Sequence, residues 1–382
     1  MPRVSIIMPT YNRADTILRA VESIRSQPVE DWELVVIDDG STDATRDLLA
    51  GVGDARIRVF SQENQGTAPA RNHGFREARG DLIAFLDSDD VWPAHHLELA
   101  VAFFNAHPGE DFYSSECWED FGKGVIVKHW RVETSDWYPA TAAEIGSKAF
   151  AAPPPLGDSY MHIYSSRADV GEWGRAIVER SGYGDVFHYR GDIFNCWRWG
   201  WLMALHPTVI TRRALDAVGP FDTSIYVAND FGWLAELCRR FTANFFSIPG
   251  SIKHELSGAG QALAEDHVVT GKTAVRFHQD VLEQFERMFW SGRPGDPELC
   301  AIRGFRQYLV GEAAARKGQH AVALEYLRAS SRTYHARRAR ELRWLLEVTP
   351  PALTRRAHRL WTIAPRVQSL VKRTISRAIG RL

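Results

Sequence analysis

Short apolar runs alternate with longer segments of helical spacing through the first hundred residues. VSIIM (Val4–Met8), ELVVI (Glu33–Ile37), IRVF (Ile57–Phe60) and LIAFL (Leu82–Leu86) have the length and β-branched content of buried strands. Between them lie ADTILRAVESIRSQ, with Ile17, Leu18, Val21 and Ile24 on one helical face, and DDGSTDATRDLLA, which turns at Gly40 and enters a helix through Ser41, Thr42 or Asp43. GTAPARNHGFREAR keeps helical phase through Ala68, Arg71, Phe75 and Ala78, with Asn64 and Gly66 as turn residues before it. Strands alternating with helices predict an α/β fold: a mostly parallel sheet with right-handed crossovers and helices on both faces.

Ligands of such sheets bind beyond the carboxyl ends of the strands. PTYNR follows the first strand, DDGSTD the second and DSDD the later one, so three polar clusters should meet along one edge. In the last cluster Asp87, Asp89 and Asp90 stand within four residues where an apolar run stops. Two carboxylates ~4 Å apart repel by about 4 kcal/mol at an effective dielectric of 20. A cation at the strand end relieves that cost. In extended chain Asp-x-Asp points both side chains the same way, so Asp87 and Asp89 can share one ion. Oxygen ligation by few carboxylates suits Mg²⁺ or Mn²⁺ completed by ligand phosphates. The competing reading is a solvated acidic loop, and Asp90 suits either a third ligand or, the preferred role, a cap of the helix that VWPAHHLELAVAFF begins.

Composition narrows the picture little: 45% hydrophobic and 24% charged residues is an ordinary globular balance. Charge is more telling. Residues 350–382 carry eight Arg or Lys and no acid, so a net charge of −1 leaves −9 on the rest. The basic charge is terminal, which argues against a general nucleic-acid surface. Cys117, Cys196, Cys238 and Cys300 form no C-x-x-C pair and read as thiols of a reducing compartment. The N-terminal apolar run is too short for a signal segment, and nothing approaches a membrane span. The expected location is cytoplasmic, with the tail as the segment that would touch the inner face of a membrane.

VSIIMPTYNR, ELVVIDDGSTDAT, NQGTAPARNHGFREARGDLIAFLDSDDVW and HPTVITRRALDAVGPFDTSIYVANDFGWLAEL resemble, in order and spacing, the motifs of family 2 glycosyltransferases of the GT-A fold. The resemblance covers residues 3–93 and about 206–256. It implies a Rossmann-like, mostly parallel sheet and an inverting, metal-dependent transfer of a sugar from a nucleotide diphosphate. The donor would be a UDP-sugar and the acceptor a hydroxyl of a glycan or lipid-linked molecule, with Mn²⁺ or Mg²⁺ as cofactor. By the resemblance, Pro9, Thr10 and Tyr11 line the base and ribose pocket. Asp39 accepts from uracil with Asp38 in support, Arg71 approaches the diphosphate or uracil, and Asp87 and Ser88 face the donor's ribose or sugar. Asp89 ligates the metal, His254 helps to hold the metal or diphosphate, and Asp230 is the catalytic base. The family usually has Glu-Asp where this chain has Asn229-Asp230, so the proton must pass to Asp230 alone. Asp230 also suits an N-cap of FGWLAELCRRF, His254 an ordinary loop residue, and Arg13 either a phosphate contact or a surface charge.

The expected divisions are residues 1–110 for the donor half, 111–261 for the acceptor half with the base, 262–348 for a helical appendage and 349–382 for a basic amphipathic tail. Seven of the thirteen tryptophans fall between Trp118 and Trp201. They would form either an acceptor wall, stacking on sugar rings, or an aromatic core or interface. FAAPPPLGD (Phe150–Asp158) reads as a loop, a candidate flap. GFRQYLVGEAAARKGQHAVALEYLRASSR predicts a helical hairpin turning at Gly318, with Ala315, Ala321, Leu324 and Leu327 inward, similar to one tetratricopeptide unit. The tail's apolar stripe, from Leu360 and Trp361 through Ile379 and interrupted at Pro365, suits either an anionic membrane surface or docking on the protein. Two other classes remain: a degenerate transferase that only binds nucleotide or glycan, and a nucleotidyltransferase, whose glycine- and basic-rich phosphate loop is missing here.

Overall fold

The computed structural model describes residues 2–120, 126–129, 158–199, 201–254, 273–291, 293, 295–334 and 337–362. The chain divides into two compact units: residues 1–140 with 149–265, and residues 141–148 with 266–382.

The first unit begins with β1 (Val4–Thr10), α1 (Ile17–Arg25), β2 (Trp32–Asp38), α2 (Thr45–Ala50), β3 (Ile57–Ser61), α3 (Thr67–Glu77) and β4 (Leu82–Phe85). It continues with the two-residue β5 (Asp90–Val91), α4 (His96–Ala106), β6 (Phe112–Asp120), β7 (Ile126–His129), β8 (Ser166–Asp169), α5 (Glu172–Ser181) and β9 (Phe187–Gly191). It closes with β10 (Val209–Thr211), α6 (Arg212–Val218), α7 (Asn229–Arg240) and β11 (Ala243–His254). All eleven strands form one sheet in the order β3-β2-β1-β4-β10-β6-β11-β9-β8, with β5 beside β11 and β7 beside β6. β3, β2, β1 and β4 pair in parallel. β10 is antiparallel to both β4 and β6, so β4, β6 and, through a parallel pairing, β11 run the same way. The remaining strands add an antiparallel margin.

Strand alternation decides which helix covers which face. Ile6, Met8, Leu34, Val36 and Ala84 share a buried cluster with Ile17 and Val21 of α1 and with Leu97 and Phe103 of α4. Val35 and Ile37 meet Ala70 of α3 on the other face. There Gly74 lets the helix approach closely: a Cβ at that position would lie 2.5 Å from Ile7 Cγ2. Helices therefore cover both faces, as the alternating pattern predicts.

The aromatic-rich middle is largely core. Trp197 is completely buried and packs edge-on to Phe231, and Trp173 packs on Phe103 and Phe246. Trp199 is buried too, while Trp118 and Trp201 are partly exposed. Tyr160 donates to Glu116, and Tyr189 donates to Asp158. These aromatics serve packing, which leaves little of the expected sugar-stacking wall among the described residues. Trp130, Trp137, Tyr138, the stretch 150–157 and the tail beyond Thr362 lie outside the described residues.

The second unit's described residues are helical: α8 (Ala274–Phe285), extended by a π-helical turn over Glu286–Trp290, then α9 (Pro297–Lys317), α10 (His320–Ser330), α11 (Arg337–Glu347) and α12 (Thr354–Thr362). Pro297 opens α9 where its missing N–H costs nothing, and the Asp296 side chain accepts from Glu298 N and Leu299 N. Gly318 ends α9 at φ 79° and forms the predicted hairpin turn. Phe305, Val310, Ala314, Leu327, Leu342 and Trp361 share one buried cluster. Of the expected inward positions, Ala315 and Leu327 are buried and Leu324 packs against their cluster, whereas Ala321 is exposed and Ala323 is buried instead.

Candidate functional site

Thr10 and Asp38 sit side by side at the carboxyl ends of β1 and β2, and Asp39 N donates to Thr10 O at 2.8 Å. Beyond them the two loops are stitched together. Asn12 N donates to Ser41 Oγ (2.9 Å), Asn12 Oδ1 accepts from Thr42 N (2.8 Å), Arg13 N donates to Thr45 Oγ1 (2.8 Å) and Ala14 N donates to Asp43 Oδ2 (3.0 Å). Arg13 then reaches the third cluster, with its guanidinium 3.2 Å from the Asp89 carboxylate. Arg19 donates to Asp89 O at 3.0 Å. PTYNR, DDGSTD and DSDD thus meet along one edge, as the strand order requires.

The three crowded carboxylates are neutralised by the protein's own cations. Arg71 donates from Nη2 to Asp87 Oδ1 (2.9 Å), and Arg13 pairs with Asp89. His206, which precedes β10, holds Nε2 3.2 Å from Asp87 and Nδ1 3.2 Å from Asp90. Burial opposes a charged imidazole there, but Asp90 and Asp87 override it and raise the His206 pKa well above its usual value. Burial likewise opposes an ionised Asp87, yet Arg71 and His206 hold its carboxyl well below the usual carboxylate range. Asp90 is buried and lies in β5, paired with β11, not at a helix cap; α4 begins after His95, whose side chain makes no cap bond. Sequence reasoning missed His206. The available signal was topological: β10 runs antiparallel to β4, so the residue entering β10 lies at β4's carboxyl end.

Arg71 also ties this cluster to α7. Its Nη1 donates to Asn229 Oδ1 at 2.9 Å, and Asn229 Nδ2 donates to Thr67 Oγ1 at 3.1 Å. Phe75, Phe85, Phe221 and Trp233 pack together beneath the pair, with centroids 4.9 to 6.3 Å apart. Asn72 exchanges hydrogen bonds with the Phe221 backbone at 2.8 and 2.9 Å. This packing presents the start of α7 to α3. Asp230 is the second residue of α7 and not its N-cap, which is Ala228. Burial pushes the Asp230 carboxyl up, and Arg71 and His206 pull it partly back.

The other expected donor residues lie beside this cluster. Pro9 and Ser88 are buried. Thr10 is buried, and its Oγ1 has no partner among the described residues. Tyr11 is 44% exposed. Asp38, fully buried, accepts from Ser41 N and pairs with Arg46. Asp39 is more occupied than a base-reading carboxylate needs to be: it accepts from Gln62 Nε2, Gln65 N and Gly66 N at 2.7 to 3.0 Å, which orders the entry to α3. Tyr226, 66% exposed, carries its Cε2 3.9 Å from where a Gly66 Cβ would stand and was not singled out from the sequence.

The donor chemistry here fits a divalent ion of the magnesium or manganese type. Asp89 keeps 19% of its side chain exposed, and His254 keeps 15%. Burial and the nearby Arg19 lower the His254 pKa, while Asp120, 3.1 Å away, and Asp89 raise it, so Asp89 and His254 share one neighbourhood. Asp87, Asp90 and His206 also bring ligand atoms within 4.8 Å of one another, but an imidazole held charged between two carboxylates has no lone pair to offer a metal.

Residues 5–142 match the family model described as "Glycosyl transferase family 2". Over 100 residues the chain is 45% identical to the UDP-Glc:alpha-D-GlcNAc-diphosphoundecaprenol beta-1,3-glucosyltransferase WfgD of Escherichia coli, covering 26% of this chain and 40% of that protein. The chain spans less than half the length of this curated relative. Among solved structures, the mannosyltransferase PcManGT of Pyrobaculum calidifontis, in complex with GDP-Man and Mn²⁺, aligns over 95% of this chain and 88% of that one at 20% identity and TM-score 0.46. S. aureus TarS 1–349 aligns over 94% and 91% at 16% identity and TM-score 0.45. No described helix is long and apolar enough to cross a membrane. The likeness to glycosyl transferase family 2 thus rests on residues 5–142, about a third of the chain.

Proposed function

We propose that this chain transfers a glycosyl group, with inversion, from a nucleoside diphosphate sugar to an acceptor hydroxyl. The observation that carries the reading is that Arg71 bonds both Asn229 at the start of α7 and Asp87 of the third loop cluster, which Arg13 joins to the first two. A UDP-sugar is the preferred donor, because the chain is 45% identical over 100 residues to an Escherichia coli enzyme named for UDP-Glc. The acceptor class, a glycan or lipid-linked hydroxyl, follows the same relative's diphosphoundecaprenol acceptor.

In this reading Asp230 takes the acceptor proton as the hydroxyl attacks from the face opposite the diphosphate. Burial raises its carboxyl above the ordinary carboxylate pKa, which makes the ionised group a stronger base. Asn229 cannot take that proton; it fixes Arg71 instead. Arg71 orients the Asp87 carboxylate, and a guanidinium can also meet a phosphate bidentately. His206 holds Asp87 and Asp90 together against their repulsion, so the acidic edge is pre-formed before donor binds. Thr10 Oγ1, buried with no hydrogen-bond partner among the described residues, can meet a ribose or base group. Asp89 and His254 would hold Mg²⁺ or Mn²⁺, which when bound neutralises charge on the leaving diphosphate.

Asp230→Asn and Asp89→Ala should each lower turnover ~10²-fold or more, the scale of a lost general base or charge clamp. The measurement is release of nucleoside diphosphate from UDP-sugars with Mn²⁺ and with chelator. Transfer at wild-type rates by both variants would sink the mechanism. Metal-dependent binding without turnover in the wild type would favour a binding module.

A further inference from the structure

α9 ends and α12 begins around a cleft of about 540 Å³ within the second unit. Arg316, Lys317, Arg355 and Arg359 line it, with Glu312 as its lining carboxylate. Three of these cations, Lys317, Arg355 and Arg359, have no carboxylate partner among the described residues, unlike the many paired arginines of this chain. Arg355 is fixed in place: its Nε donates to Lys317 O at 2.8 Å, and its side chain lies 3.0 Å from where a Gly318 Cβ would stand. His358 also lines the cleft. It is 5% exposed, and its Nε2 has no hydrogen-bond partner among the described residues, with Glu312 3.8 Å away. Basic residues in the last turn of a helix ordinarily complement its dipole, which accounts for Arg316 and Lys317. It accounts for Arg359 in the last turn of α12 as well, but not for Arg355 in the first turn of that helix, and the four cations from two helices still converge on the same space.

We infer that this cleft is an anion site that takes a phosphate-bearing ligand. Several donors of fixed charge around one cavity suit phosphate oxygens, and arginine forks bind them bidentately. The volume falls within the range of small-ligand pockets, so the fitting class is a diphosphate or a phosphodiester headgroup. The site stands on the second unit's own residues and does not depend on the transferase reading.

The test uses the full chain with inorganic pyrophosphate as probe, by isothermal titration at constant ionic strength. Pyrophosphate could also bind where a donor diphosphate would sit. The cleft's share is therefore the part lost in Lys317→Gln/Arg359→Gln and kept in Arg332→Gln/Arg340→Gln, which removes two exposed charges elsewhere on the unit. The expected loss is about tenfold or more in affinity. Lys317→Arg/Arg359→Lys, which keeps the charge, should restore it and guards against a folding defect. Sedimentation with phosphatidylglycerol vesicles separates the sources. Binding that pyrophosphate displaces assigns a lipid headgroup, and pyrophosphate binding without vesicle binding assigns a soluble phosphate compound. An equal pyrophosphate response in both Gln variants overturns the site.

Discussion

Asn12 adopts φ 51°, in the left-handed region, which Asn tolerates better than most residues. Its amide accepts from Thr42 N, and its backbone N–H reaches Ser41, so one side chain joins the first two loops and aims Arg13 at Asp89. Asn12→Ala loses both the bond and the conformational tolerance and should cost roughly 2 kcal/mol; Asn12→Gly loses only the bond and should cost about 1 kcal/mol. Urea denaturation measures both. Because Arg13 moves with the loop, UDP affinity should fall further in the Ala variant than in the Gly variant. Equal stability of the two would mean that backbone strain is not what Asn12 relieves. PTYNR was legible as a site loop because it ends a strand, but nothing in its composition marks Asn12 as the joint. His206 was illegible for a related reason: its role depends on an antiparallel strand inserted beside β4, which no local spacing announces. The need for positive charge at DSDD was legible from Coulomb's law; its main source, two arginines and a histidine from distant segments, was not.

At the scale of elements, period and punctuation carried most of the information. The runs at Val4, Glu33, Ile57 and Leu82 became strands because each is apolar, short and closed by a turn or polar cluster. α2 starts at Thr45, two residues after the last expected cap position, and Asp43 accepts from Thr45 N, which satisfies a donor at the helix start as a cap does. The hairpin of α9 and α10 was read correctly from Gly318. Its φ of 79° strains an L side chain, and a Cβ there would crowd the Arg355 side chain at 3.0 Å. Gly318→Ala should therefore destabilise by about 1 kcal/mol or more. Gly184→Ala, at a glycine with open space around its Cβ direction, should stay within about 0.5 kcal/mol. Thermal denaturation of the two variants decides it; equal melting temperatures would mean that the turn adjusts.

At the scale of the molecule, net charge conceals two opposite bodies of charge, −9 before residue 350 and eight cations after it, and the acid response is decided by neither. Carboxylates held below their usual range contribute to it, and so do histidines buried neutral in the first unit. His96 is fully buried against Trp92, and neither ring nitrogen has a partner among the described residues. Burial, helped by neighbouring His95, lowers its pKa to about 3; His95 and His188 are lowered by burial too. A folded pKa below the unfolded 6.5 means that the unfolded chain binds the extra proton. Stability is then complete above about pH 6.5 and falls as the pH drops from there toward 3. One such histidine contributes a slope of about 1.4 kcal/mol per pH unit across that window. His96→Leu removes a buried, unbonded polar ring and replaces it with an apolar side chain of similar size. It should be near neutral or stabilising at pH 7. The gap in unfolding free energy between variant and wild type should widen in the variant's favour at pH 6, 5 and 4, read by urea titration at each pH. A gap that stays constant across those pH values would show that His96 takes up its proton without unfolding, and that the core holding the donor half is not the acid-sensitive part of the molecule.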